Sequence, residues 1–362
     1  MPTFASMFNG ARILVAPLDW GLGHSARCVP VIQRLIDHGA VPILGADGGP
    51  LALLRREFPQ LEHVRIPGVD VRYSKGSNQL WSMARQFPAM VRSVQAERAL
   101  FDRLRHQLRL DAVISDQRFG IRSAELPSVV ITHQVFPFTP FAQAALRKLN
   151  LHHLGRFDRC WIMDEAKAPG LAGELSHGRS LPANARYIGA VSRMVPPKAT
   201  AKQRYDVVAV ISGPEPQRTM LEHRLIEQLR ELPGEHLLVL GLPKGDRNER
   251  IGNLTVRSHM GGQELAEAML ASRLIVSRSG YTTLMDLAAI GRSALIIPTP
   301  GQAEQEYLGD LHTRTGRFVV QQQDRLDLKS ALGRIAAPAA NDPRTDGALL
   351  EQALKDLATL IG

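Results

Sequence analysis

Short apolar runs alternate with longer amphipathic segments along this chain, and the pattern occurs twice, on either side of a stretch that breaks it. Strands and helices in that rhythm build parallel sheets, because each crossover helix returns the chain to the same end of the sheet. In the first half RILVAP, VPILGAD, LEHVRIP, DAVISD, PSVVITHQ and CWIMDE read as strands. VIQRLIDHG, GPLALLRREF and a long segment from Gln79 to about Leu108 read as helices between them. Near residue 190 the texture changes: IGAVSRMVPPKATAKQRYD has a Pro-Pro pair, basic residues and no apolar periodicity, and reads as a linker. A second series follows. YDVVAVISG, HLLVLGLP, NLTVRSHM, RLIVSRSG and SALIIPTP read as strands, and PQRTMLEHRLIEQLREL, ELAEAMLAS, TTLMDLAAIG and AEQEYLGDLHTR as helices, with a terminal helix from Gly347 to about Leu360. At 362 residues the chain exceeds what one core ordinarily organises. The expected architecture is α/β, with two Rossmann-like domains facing across a cleft. The expected bounds are 1–190, a linker at 191–205, a second domain at 206–342, and a helix at 343–362 that packs back on the first.

Composition narrows the function. Hydrophobic residues make up 44% and charged residues 22%, as in a soluble globular protein. No run approaches the roughly 20 apolar residues that cross a bilayer, and the N-terminus lacks a secretory pattern. Two cysteines, Cys28 and Cys160, make no disulfide framework, so a cytoplasmic setting is expected. The net charge of +9 suits an anionic partner. With aromatics at 5% and no zinc spacing or RNA-binding motif, nucleic acid is not the expected one.

In parallel sheets ligands sit beyond the carboxyl ends of the strands, so four loops draw attention. The first holds Gly21, Gly23 and His24, between a strand and a helix start. Glycines there let backbone approach a ligand, and a helix N-terminus favours the neutral imidazole that a general base requires. A histidine that merely caps the turn, and an Arg27 that is a solvated charge, are the plain alternatives. The second loop, Ser212-Gly213 to Arg218, offers amides and a cation to a phosphate, or is a proline-rich turn with Arg218 in solvent. The third ends a strand at Ser279-Gly280; Thr282 or Thr283 caps the next helix, and Asp286 follows one turn on. A carboxylate at that depth accepts both ribose hydroxyls, or only compensates the helix dipole. The fourth sets Gln302, Glu304, Gln305 and Glu306 at a helix start, suited to a polyhydroxylated ligand.

Together these loops resemble the GT-B glycosyltransferases, family 28 in particular. The family reads close to S-R-x-G-x-x-T-x-x-E and then P followed by Q-Q-Y; this chain reads Ser277, Arg278, Gly280, Thr283, Asp286, then Pro298, Gln305, Glu306 and Tyr307. The resemblance implies a GT-B fold and a UDP-sugar donor, UDP-GlcNAc or a similar UDP-hexose. It implies that Asp286 meets the ribose, Gln305 and Glu306 the donor sugar, and Ser212-Gly213 the diphosphate, with Met260 in the loop that grips the base. His24 becomes the base that activates an acceptor hydroxyl, with Gly21, Gly23, Arg27 and Asp116 on the acceptor side. Asp in place of Glu and Glu in place of the second Gln depart from the pattern.

No Asp-x-Asp occurs, so metal-independent transfer with inversion is expected, with no cofactor, since the nucleotide sugar is a substrate. Arg85, Arg92, Arg98, Arg103, Arg105 and Arg109 crowd one long helix, and residues 135–156 join Phe136, Phe138 and Phe141 to a basic end. Such segments suit an anionic inner-membrane face and a lipid-linked acceptor, or a core helix with solvated charges. GHSARC also resembles the GHxxRC turn of the nucleotide-sugar hydrolase of pseudaminic acid synthesis, where the histidine would activate water. A non-catalytic nucleotide-sugar-binding protein is the third reading.

Overall fold

The computed structural model describes residues 7–19, 21–68, 79–138, 142–194, 202–334 and 347–362, with side chains of the third helix from residue 92 onward. The first half runs β1 (Arg12–Pro17), α1 (Leu22–Asp37), β2 (Val41–Ala46), α2 (Gly48–Glu57), β3 (His63–Arg65), α3 (Gln79–Gln107), β4 (Ala112–Asp116), β5 (Ser128–Thr132), α4 (Gln143–Leu154), β6 (Arg159–Ile162) and β7 (Ala185–Tyr187). The second runs β8 (Tyr205–Val210), α5 (Gln217–Glu231), β9 (His236–Val239), β10 (Asn248–Ile251), β11 (Leu254–Arg257), α6 (Gly262–Leu270), β12 (Ser272–Ser277), α7 (Tyr281–Ala289), β13 (Leu295–Ile296), α8 (Ala303–Arg314), β14 (Val319–Val320), α9 (Leu328–Arg334) and α10 (Gly347–Ile361).

Among the described residues each half holds one seven-stranded sheet, ordered β3-β2-β1-β4-β5-β6-β7 and β10-β11-β9-β8-β12-β13-β14. Every pairing is parallel except β10 with β11. Both faces of the central strands are covered, which is why they read as unbroken apolar runs. In β1, Ile13 and Val15 join the core under α1, while Leu14 and Ala16 join Phe101 and Leu104 of α3 on the other face. In β8, Val207 and Ala209 pack on Leu221, Leu225 and Leu229 of α5, and Val208 faces the opposite side.

The two halves share a core. Met163 and Leu171 of the first cluster with Tyr281, Leu308 and Leu311 of the second. Tyr281 donates its hydroxyl to the Met163 carbonyl at 2.7 Å, His312 meets the Leu171 carbonyl at 3.0 Å, and the Glu174 amide donates to the Tyr307 hydroxyl at 2.7 Å. Phe138 rests on the Tyr307 ring at 4.5 Å. Helix α10 returns to the first half, where Asp356 accepts from Arg159 at 3.0 Å and Glu351 meets His38 at 2.6 Å.

Several expectations need correction. Helix α1 starts at Leu22 rather than after the GLGH turn and carries Pro30 inside it. The turn closes at Gly21, whose φ of 113° suits glycine, so His24 stands in the first helical turn. Residues 143–154 form helix α4, and Phe136 is 1% exposed, a core side chain and not a membrane-facing one. Arg105, on the basic helix α3, is paired with Glu125 and Asp102. The Arg85 side chain, Phe141 and the Pro-Pro pair of the linker lie outside the described residues.

Gly173 has φ 57°, and a Cβ there would stand 2.3 Å from the Tyr307 hydroxyl. Gly173→Ala should therefore strain the backbone and push Tyr307 off the first half, costing about 2 kcal/mol or more in urea unfolding. Gly178→Ala, at φ 80° with open space around it, should lose only the backbone share of about 1–2 kcal/mol.

Candidate functional site

Asp116 ends β4 at the carboxyl edge of the first sheet and is fully buried. The first turns of α1 bring three side chains onto it. His24 Nδ1 lies 3.0 Å from Oδ2, Arg27 donates Nε to Oδ2 at 2.7 Å and Nη2 to Oδ1, and the Cys28 thiol points at Oδ2 from 3.9 Å. Burial alone would raise the Asp116 pKa, but the charge of Arg27 and the contact with His24 hold it far below the ordinary carboxylate range. Burial also pushes the Cys28 thiol well up, which leaves it protonated. Arg27 is 2% exposed, so it is no solvated charge. Its Nη1 reaches Nδ1 of His133, just past β5, at 2.7 Å.

His133 carries the chain of contacts across to the second half. With Nδ1 accepting from Arg27, its Nε2–H donates to Glu304 Oε1 of α8 at 2.7 Å. Burial lowers the His133 pKa, keeping the ring neutral; burial would raise that of Glu304, but His133 and Arg27 bring it below its usual value. Tyr281, the first residue of α7, stacks on the His133 ring at 4.2 Å. His133, Glu304 and Tyr281 were not singled out together in the sequence. His133 lay near the end of a run, PSVVITHQ, that read as a strand, and only its position after Thr132, at the same sheet edge as Asp116, could have marked it.

His24 keeps its side chain 15% exposed at this edge. A proton on Nδ1 directed at Asp116 leaves Nε2 as the acceptor that a general base needs. A cavity of about 140 Å³ is lined by Leu18, Gln117, Phe119, Gln134 and Asn150, among others. Gln117 follows Asp116 at φ 56°, and Gln134 follows His133, so this space adjoins the His24 cluster.

On the second half the expected residues divide. Gly213, at φ 120°, and Gly280, the N-cap of α7, both have open space where a Cβ would lie, so backbone is accessible at both loops. Ser212 precedes the first of these. Ser279 is buried and gives its hydroxyl to the Gln305 carbonyl at 2.8 Å. The Gln305 side chain accepts from the Thr299 amide at 2.9 Å, and Glu306 accepts from the Gly301 amide at 2.7 Å. These contacts fix the loop that starts α8.

Arg218 does not supply a free charge: it is paired with Glu215 at 2.7 Å and Glu222 at 2.8 Å. Thr282 gives its hydroxyl to the Gly23 carbonyl at 3.0 Å. The close approach at Gly23 is therefore to α7, where a Cβ would stand 3.1 Å from that hydroxyl. Thr283 is half-buried beside it. Asp286 is 7% exposed and accepts from the Ser192 hydroxyl at 2.5 Å. Met260 is buried and, with His259, Gly261, Arg56 and Glu57, lines a cavity of about 240 Å³ between the halves. Burial and the nearby arginines lower the His259 pKa to about 4, so its ring is neutral there.

Residues 260–360 match the family model of the Glycosyltransferase family 28 C-terminal domain. A curated UDP-N-acetylglucosamine--N-acetylmuramyl-(pentapeptide) pyrophosphoryl-undecaprenol N-acetylglucosamine transferase from Methylobacterium sp. (strain 4-46) is 33% identical over 111 residues, 27% of this chain and 29% of that one. Matches to curated relatives of this name thus span less than a third of their length. The solved glycotransferase of kitacinnamycin aligns over 97% of this chain and 95% of its own, with a TM-score of 0.60 at 14% identity. Spinosyn rhamnosyltransferase SpnG, complexed with thymidine diphosphate, covers 97% and 95% with a TM-score of 0.58 at 16% identity. The fold is GT-B, and the second half carries a C-terminal domain like that of glycosyltransferase family 28.

Burial raises the Asp286 pKa to about 6. Its neutral form therefore favours the fold below the unfolded value near 3.8, and that contribution is lost as pH rises through about 6. Asp286→Asn should match wild type in thermal melts near pH 4 and exceed it above pH 6, by up to ~3 kcal/mol.

Proposed function

We propose that this chain is a glycosyltransferase that moves a sugar from a nucleoside diphosphate, UDP-GlcNAc or a similar UDP-hexose, to a hydroxyl acceptor. The observation that carries the reading is the Asp116–His24 contact, set at the edge of the first sheet opposite the glycine loops of the second. Its chemistry is that of a base held by a carboxylate. Asp116 fixes the imidazole and stabilises the cation that forms when Nε2 takes the acceptor proton. As the oxygen attacks the anomeric carbon, the bond to the diphosphate breaks. Amides at Gly213 and Gly280 meet the charge that gathers on the leaving group. Attack from the face opposite the diphosphate inverts the anomeric centre, and the protein's own donors serve the leaving group without a metal. Asp286 and the His259–Met260 cavity serve the ribose and base, and Gln305 and Glu306 the donor sugar. The nucleoside diphosphate is supported by the thymidine diphosphate complex of a fold relative.

A lipid-linked acceptor at the inner membrane face is the favoured form. The curated relatives act on a pyrophosphoryl-undecaprenol substrate by name, and α4 exposes Leu149 beside Lys148. None of the described helices is long and apolar enough to cross a membrane, which leaves surface contact as the mode proposed.

The hydrolase reading has an observation of its own. Both the arginine and the cysteine of GHSARC, Arg27 and Cys28, touch Asp116. The same His24 would then activate water, and no acceptor would be needed.

His24→Ala should lower turnover of a UDP-sugar by about 10²–10⁴-fold and leave the donor dissociation constant within a factor of a few. Steady-state release of UDP with titration of donor binding checks this. Wild-type turnover in the variant would remove His24 as base. Free sugar formed at full rate without acceptor would favour hydrolysis, and tight UDP-sugar binding without turnover in wild type would favour a binding protein.

A further inference from the structure

Arg278 follows Ser277, the last residue of β12, and none of the chemistry above uses it. Its side chain is 1% exposed, among the largest fully buried groups in the molecule. The other deeply buried arginines beside the cleft have carboxylate partners: Arg27 with Asp116, Arg118 with Glu97 and Asp19, Arg218 with Glu215 and Glu222. Arg278 instead fans out onto carbonyls. Nη1 donates to Ile297 and Pro298, both at 3.3 Å, Nη2 donates to Gln217 at 2.8 Å, and buried Nε has no partner among the described residues. Burial lowers its pKa to about 10, and no neighbouring carboxylate offsets that. A guanidinium with that pKa still carries its full charge at neutral pH. A buried cation without a counter-ion is costly, and an anion brought by a bound ligand would offset that cost.

The surroundings say where that anion would sit. The Gln217 carbonyl that holds Nη2 belongs to the first residue of the 15-residue helix α5, just after the Ser212–Pro216 loop. Two residues beyond Arg278, Gly280 begins α7 without a side-chain cap. Both helix starts lie beside the open space at Gly213 and Gly280 and carry partial positive charge there; in α5 the Arg218, Thr219 and Met220 amides are already bonded to the Pro214 carbonyl, the Glu215 carboxylate and the Pro216 carbonyl. Arg292 makes a useful contrast. It too is buried on carbonyls, but they are those of Leu270, at the C-terminal end of α6, and Ser272 just beyond it, where a cation compensates the helix dipole. At Arg278 the cation adds to two positive helix ends instead of opposing a negative one.

We infer that Arg278 is the fixed positive charge behind the loops at Gly213 and Gly280, and that it balances a diphosphate bound in front of them. It acts through its field, so it is a positioning residue and not one that touches the reacting atoms. It takes over the role that the sequence suggested for Arg218, whose charge is already spent on Glu215 and Glu222. The inference rests on the donor reading above.

The test separates charge from scaffold by comparing ligands with and without the diphosphate. Wild type, Arg278→Met and Arg278→Lys are titrated calorimetrically with UDP, uridine and inorganic pyrophosphate. The expected result is that Arg278→Met lowers the UDP-to-uridine affinity ratio, and pyrophosphate affinity, by about 10-fold or more. Arg278→Lys keeps the charge without the carbonyl fan and should stay within about 3-fold of wild type, because the role is electrostatic. A ratio unchanged in Arg278→Met would overturn the inference while leaving the donor reading intact. So would a loss in Arg278→Lys as large as that in Arg278→Met, and if the Met variant does not fold, a 10-fold loss in the Lys variant alone overturns it. A wild type that binds neither UDP nor pyrophosphate defeats the donor reading itself, and this inference with it.

Discussion

The buried ion pair between Arg27 and Asp116 is the contact on which the site depends. It joins the first helix to the central strand β4 inside the core, where a charge left alone would cost about 3–5 kcal/mol. Two consequences follow from its geometry. Asp116 is held ionised, so it can anchor His24, and Arg27 is left with one nitrogen facing His133. The pair also explains why α1 begins at Leu22 and runs through Pro30. The helix must present His24, Arg27 and Cys28 on one face, and the spacings of three and four residues do this.

From Arg27 the polar chain continues through His133 to Glu304, so the first half's centre is bonded to a helix start of the second. Around it lie apolar and backbone contacts: Tyr281 on Met163, Thr282 on Gly23, and Tyr307 on Glu174. The relation between the halves is thus set at the place where the chemistry is proposed to happen. Any rotation that opened the cleft would have to break the His133–Glu304 bond and unstack Tyr281 from His133.

The fold was legible because parallel strands covered on both faces leave unbroken apolar runs, and β1, β4, β5, β8 and β12 all do so. Edge strands left weaker signs. β10 is Asn-Glu-Arg-Ile, three of its four residues exposed, which blunts the sheet edge and hides the strand from an apolar pattern. β7 and β14 are too short to read. In the site, His24 and the glycines at 213 and 280 were legible from their place after strands, since that place follows from topology. Side-chain partners were not. That Arg218 is consumed by Glu215 and Glu222, that Thr282 serves Gly23, and that Arg27 is buried all depend on how the two halves pack. Local spacing carries none of that information. Arg278 was visible within its motif, but its lack of a counter-ion appears only when every neighbour is known.

The central claim is that Asp116 holds His24 with its proton on Nδ1 and Nε2 free to take a proton from an acceptor. Arg27 also approaches Nδ1, at 2.9 Å, and a hydrogen bond from it would require the opposite tautomer. Nitrogen-15 NMR of histidine-labelled protein, with His24 assigned by comparison with His24→Gln, distinguishes the two directly. The expected spectrum shows the His24 proton on Nδ1, directed at Asp116, and a bare Nε2. A neutral His24 protonated at Nε2 would leave no base at the edge of the sheet and would contradict it.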